Sequence, residues 1–187
     1  MTLWTVQNLK FYESLLTNKI IYGRREFIED EGFLYGYHWL MEKMDDRVGK
    51  RPFSGCYPIW AWYQWDNAKK PKPDLRFNGH LHKGEQGVRM EIIKNDEDVL
   101  LSDFELWHYP LSLASYIGSS EKDVEDFEDL LVKRNLDNTR LEELPKNIQH
   151  DIIKSWDIVL DIEFQNPYIT QPRDKKINSS NILVSIN

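Results

Sequence analysis

An α+β domain is the architecture this sequence predicts, on three observations. Short runs alternating apolar and polar residues open the chain and recur near its middle. Segments with apolar residues at helical spacing dominate the later half, and ILVSI returns as a strand at residues 182–186. The expected arrangement is a single domain over residues 1–187: a mixed, mainly antiparallel sheet, able to be split, packed with four or five helices.

The elements follow in order. LWTVQ alternates Leu3, Thr5 and Gln7 against Trp4 and Val6, which is strand periodicity. Asn8 suits an N-cap, Leu9, Tyr12, Leu15, Leu16 and Ile20 recur at helical spacing, and Gly23 closes the unit. Residues 33–46 carry Phe33, Tyr37, Leu40, Met41 and Met44 on one helical stripe, and Gly49 to Gly55 reads as a loop. YPIWAWYQW at residues 57–65 predicts a strand with Trp60 and Trp62 on one face and Ile59, Ala61, Tyr63 and Trp65 on the other, both faces covered. Prolines in KKPKPD break regular structure after it. RFNGHLHKGEQGVRMEII predicts two strands joined around His82 to Gln86, with Val88, Met90 and Ile92 inward. VLLSDFELWH gives a strand and then a turn, in which Ser102-Asp103-Phe104-Glu105 matches the S-x-x-E capping box and Pro110 limits any helix. Ser120 caps a further helix with Val124, Phe127, Leu130 and Leu131 inward, and residues 141–156 supply another, aligned on Ile148, Ile152, Ile153 and Trp156.

Composition narrows the function classes. A net charge of −7 argues against sequence-independent binding across a dominant basic face. Positive charge is nonetheless local, at Arg24 and Arg25, Lys50 and Arg51, and Lys69, Lys70, Lys72 and Arg76, while acid concentrates in residues 121–130. One cysteine, Cys56, excludes an internal disulfide framework. No apolar run suits a membrane span, so no membrane partner is expected, and the opening MTLWTVQNLK reads as strand and helix rather than signal peptide. The expected compartment is the cytoplasm.

Catalytic motifs are sparse. His80-x-His82, with His38, His108 and Cys56 elsewhere, lacks the CxxC, HExxH or carboxylate set of a metal centre, so no metal is expected and a buried structural thiol is the reading of Cys56. GxSxG, GxxxxGK[ST] and GxGxxG are absent. What remains is an aromatic constellation with polar groups interspersed: Trp4, Gln7, Trp60, Trp62, Trp65, Asp103, Trp107 and His108. Leu, Ile and Val fill a core without an N–H to satisfy, so this density of indoles suits either a core anchor or the wall of a pocket for a planar ligand such as a base or nicotinamide.

LWTVQ, YHWLMEKM, PIWAWYQW, PDLR and VLLSDFELWHYPLS together resemble a bacterial family of about this length known as a domain of unknown function. A second resemblance bears on chemistry. A polar first strand, a helix running into Leu-Leu-x-x-x-Ile-Ile-x-Gly at residues 15–23, and a later V-L-x-S-D-F turn are similar to small bacterial ADP-ribosyltransferase-like domains. That resemblance implies NAD in the cleft of a split sheet, with Gln7 holding the adenosine ribose, Trp60 or Trp62 stacking the nicotinamide, and Glu91, Asp103 or Glu105 orienting the ribose under attack. Cleavage would pass through an oxocarbenium-like sugar stabilised by the carboxylate. Gln7 stands where those enzymes usually carry His or Arg.

Two other functions fit the sequence. An aromatic platform flanked by Arg24, Arg25, Lys69, Lys70, Lys72 and Arg76 suits RNA or an RNA–protein complex, in a binding or nucleolytic factor of phage or mobile-element conflict. The acidic segment 121–134 suits a protein-interaction surface or nucleic-acid mimic, and a homodimer is compatible with either.

Overall fold

The computed structural model describes residues 1–20, 22–28, 30–64, 72–76, 79–164 and 182–186. Five strands, β1 (Thr2–Asn8), β2 (Ile59–Gln64), β3 (Gly87–Ile93), β4 (Val99–Asp103) and β5 (Ile182–Ile186), form one sheet in the order β3-β1-β2-β5-β4. Among the described residues the α-helices are α1 (Leu9–Asn18), α2 (Leu34–Arg47), α3 (Glu121–Lys133) and α4 (Lys146–Ser155). The α+β class holds, and each described strand pairing is antiparallel rather than mixed. The last strand enters the sheet between β2 and β4, pairing with both, so the sheet closes only when the end of the chain returns.

Local chemistry explains most boundaries. Asn8 ends β1 and starts α1, its side-chain oxygen accepting from the Phe11 amide at 2.9 Å. α1 stops at Lys19, which takes the left-handed conformation (φ 63°) with its N–H on the Leu15 carbonyl, so the helix is closed there and not by Gly23. Gly23 instead bridges Tyr57, and a Cβ on it would sit 2.4 Å from the Tyr57 carbonyl oxygen. α2 buries Gly36, Trp39, Leu40, Met41 and Met44. In its last turn, Asp45 accepts from the Arg51 amide at 2.9 Å and from its guanidinium at 2.8 Å, contacts that hold its carboxyl below the usual range. Ser120 caps α3 as expected.

Two expected elements differ. Among the described residues only the second of the two strands read in residues 76–93 is formed; residues 79–86 make turns, where His82 and Glu85 close on each other and the Gln86 carbonyl accepts from Leu9 at the start of α1. The capping box is also replaced. Ser102 stays buried in β4 and accepts the Trp107 indole N–H, while Asp103 caps the 3-10 turn Glu105–Trp107 through the Glu105 and Leu106 amides.

The main core lies on one face of the sheet, where Trp4, Trp62 and Leu100 meet Trp39, Leu40 and Met44 of α2, Ile148 and Ile152 of α4, and Trp156. A smaller cluster, Leu3, Ala61 and Val99, covers the other face. Between β4 and α3 the chain makes a π-helical turn, Tyr109–Leu113, whose Pro110 carbonyl packs on the bare backbone of Gly36. A Cβ at Gly36 would lie 2.7 Å from that oxygen and 2.9 Å from the Leu111 side chain. Ala is the better helix former by about 1 kcal/mol, but overpacking costs about 1–3 kcal/mol. Gly36→Ala is therefore expected to lower stability despite the gain in propensity, read as a reduced urea midpoint; an increased midpoint would show that the turn gives way freely.

Candidate functional site

β1 and β2 register at a single pair, Trp4 opposite Trp62, and then part. In the gap the Thr5 hydroxyl donates to the Trp60 carbonyl at 2.9 Å, and the Gln7 amide nitrogen donates to the Thr5 oxygen at 2.8 Å. The Gln7 side-chain oxygen has no partner among the described residues and is free to accept. Two cavities open at this point, of about 320 and 280 Å³, and Gln7 and Trp60 line both.

The first cavity is aromatic. Trp60, Trp62, Phe104 and Trp107 form its walls, with His80 and Thr5 as polar members. Trp62 meets Phe104 edge-on at 4.9 Å between ring centroids, and Trp60 meets Trp107 at 4.8 Å and 80°. The wall is fixed from behind: the Trp60 indole N–H donates to the Tyr37 hydroxyl at 2.8 Å and that of Trp107 to Ser102 at 2.9 Å. The second cavity is more polar, with Asn8, Arg24, Glu26 and Tyr37 on its walls. Arg24 and Glu26 stand 3.5 Å apart. Burial pushes the Tyr37 hydroxyl above its ordinary pKa, against the opposing pull of the Trp60 hydrogen bond, so it remains a neutral O–H donor.

The structure therefore gathers Gln7, Trp60, Trp62 and Trp107, and sets other expected site residues elsewhere. Trp4 is 8% exposed and is covered by Lys72 Nζ at 4.4 Å and the Arg89 guanidinium at 5.7 Å from its ring centroid. His108 is exposed. Trp65, Lys69 and Lys70 lie outside the described residues. Of the three carboxylates, Glu91 is exposed on β3, Asp103 is buried against the amides it caps, and Glu105 belongs to the turn it begins; neither cavity includes any of them among its described walls. The basic residues are partly neutralised, since Arg25 pairs with Glu31 and Arg76 with Asp74. Among the described residues no group of three or more His, Cys, Asp or Glu gathers as a metal site. Cys56 is buried, and burial raises its thiol pKa.

Sequence reasoning missed His80, Phe104, Tyr37 and Glu26. His80, which the sequence sets in a strand pair, is half-buried against Trp62, with ring centroids 6.4 Å apart. Phe104 follows the V-L-x-S-D run directly, which was the available signal. Nothing in local spacing marks Tyr37 or Glu26, because each reaches the site through tertiary packing.

The α+β sheet is splayed at one strand junction, with an aromatic cavity beside a polar one. The chain belongs to the family described as domain of unknown function DUF3841, whose model matches residues 2–182. No curated protein and no solved structure matches it. No described helix is long and apolar enough to cross a membrane.

Burial lowers the His80 pKa from its ordinary value, opposed by a hydrogen bond and charge from Asp74. The unfolded chain thus binds this proton more readily, so the contribution is fully present above about pH 6.5 and is lost as pH falls through the lower folded value. Urea midpoints of the native chain should drop between neutral and mildly acidic pH by more than those of His80→Phe. Equal drops would place His80 in contact with water rather than in the cavity wall.

Proposed function

We propose that this protein binds a nucleotide with a planar ring and a sugar-phosphate arm, NAD in the first instance, in the manner of an ADP-ribosyltransferase-like domain. The observation that carries this reading is that Gln7 and Trp60 line both cavities, joining an aromatic compartment to a polar one. The ring enters between Trp62, Phe104 and Trp107, where stacking contributes about 1–3 kcal/mol. Sugar hydroxyls meet the free Gln7 oxygen and the Tyr37 O–H, and Arg24 faces the phosphates. For transfer, the N-glycosidic bond breaks and nicotinamide leaves with the bonding electron pair, a carboxylate stabilises the cationic sugar, and an acceptor nucleophile or water then bonds to its anomeric carbon and gives up a proton. Glu26 takes that role, in place of Glu91, Asp103 and Glu105, because it is the carboxylate among the described walls of these two cavities.

Titration with NAD should quench tryptophan fluorescence saturably. Trp62→Leu, which keeps an apolar side chain but removes the stacking face, should weaken binding about tenfold, and Arg24→Gln should weaken it and flatten its salt dependence. A flat response at millimolar NAD in the native chain would overturn the reading. Release of nicotinamide should be lost in Glu26→Gln with NAD affinity kept; binding without release in the native chain would leave a nucleotide-binding domain and remove the transfer step.

A further inference from the structure

A third cavity, of about 640 Å³, lies beneath α3, away from the β1–β2 junction. Val124, Phe127 and Leu131 of α3 form one wall, and Leu136, Leu141 and Ile152 stand across from them. Protein interiors pack at crystal-like density, so the apolar stripe of a helix is ordinarily closed against its neighbours. Here the stripe is well formed, at i, i+3 and i+7, yet no described residue of α3 is fully buried. The helix is fixed mainly at its beginning. Tyr116 stacks on Phe127 with centroids 4.1 Å apart and planes 11° off parallel, and its hydroxyl donates to Asp123 at 3.2 Å. Asp123 also accepts from the Ser119 amide at 2.8 Å. Toward the other end the helix overhangs the hollow, and Val132, which lines it, is 57% exposed.

Acid outnumbers base along the described walls of this groove. Glu128 and Asp137 lie on its rim against a single lining cation, Arg140. Along α3, Lys122 and Lys133 are held by Asp126 and Asp129, whereas Glu121, Glu125 and Glu128 have no ion-pair partner among the described residues. A carboxylate-rimmed apolar groove disfavours an anionic guest and steers a cationic one. The stripe from Val124 to Leu131 extends about 10 Å at 1.5 Å per residue, two helical turns, the length over which a docked helix places its anchors.

We infer that this groove is the docking site for a basic amphipathic helix of a partner protein, whose apolar side chains enter between α3 and residues 136–144 and whose Lys or Arg residues face Glu128 and Asp137. The inference does not depend on nucleotide binding. It differs from an acidic surface acting through charge alone, because the apolar underside of α3 supplies the anchor and the acids supply the selection.

The test uses the full chain and fluorescein-labelled model peptides read by anisotropy. One peptide is a Leu/Lys helix with Leu at i, i+3, i+4 and i+7; the second carries Glu in place of Lys; the third has the first peptide's composition scrambled around the helix. The first should bind saturably, and the other two about tenfold or more weakly. Val132→Arg, at an exposed position that leaves the fold intact, should weaken the first peptide by a similar factor, and Glu128→Lys with Asp137→Lys should shift preference to the Glu peptide. Equal binding of ordered and scrambled peptides would reduce the groove to a non-specific acidic surface and overturn the proposal. So would failure of the Lys peptide to bind, or a dimer of the native chain in sedimentation that Val132→Arg converts to monomer, which would make a second copy the occupant.

Discussion

Where β1 and β2 part after Trp4 and Trp62, the backbone of a central strand leaves its neighbour, and groups released from a ladder must find other partners. The Thr5 hydroxyl takes the Trp60 carbonyl, and Thr5 in turn holds Gln7. A side chain thus spans a gap that a strand amide would have closed. That substitution keeps the sheet continuous, since β2 still pairs along its other edge with β5, while leaving room for two cavities. A regular β1–β2 ladder would fill the space that Gln7 and Trp60 now share.

The tryptophans make the opening rigid. An indole is large and carries one donor, so each buried one needs an acceptor or loses a hydrogen bond. Trp60 reaches Tyr37, Trp107 reaches Ser102, and Trp156 reaches the Ser115 carbonyl; Trp39 Nε1 is buried without a partner among the described residues. The rings also meet edge to face in series, Trp60 on Trp107, Trp107 on Trp39, and Trp39 on Trp156. The cavity wall is therefore the near end of a chain that runs into the core. A wall held in this way loses little side-chain entropy when a ring stacks on it, which is where preorganisation contributes to affinity.

Much of this was legible in the sequence because it rests on local chemistry. Asn8 as cap, the alternation that sets Trp60 with Trp62, the capping Ser120 and the returning strand Ile182–Ile186 need only a few neighbouring residues. What could not be read depends on distant partners. Ser102 fits a capping box by spacing, but the Trp107 indole claims its hydroxyl and Asp103 inherits the cap. His80 sits in an alternating run that looks like a strand until the Gln86 carbonyl is tied to Leu9, which turns the segment onto the aromatic cavity. The carboxylates that the resemblance implies follow from position along the chain, whereas access to a cavity is decided by which wall the chain builds, and that wall includes Glu26.

The turn Tyr109–Leu113 has a place in both halves of the molecule. Leu111 lines the aromatic cavity and Tyr109 lines the groove under α3. The turn is closed by the Ser115 amide on the Tyr109 carbonyl, and the next carbonyl, that of Ser115, accepts the Trp156 N–H. Trp107 stands two residues before it, and Gly36 leaves room for its Pro110 carbonyl where a Cβ would clash. A π turn is an uncommon way to cover five residues, and such turns are found often at functional sites. Here Tyr109 and Leu111, two positions apart and so on opposite sides of the turn, serve the two cavities, while the Pro110 carbonyl between them sits against Gly36 of α2.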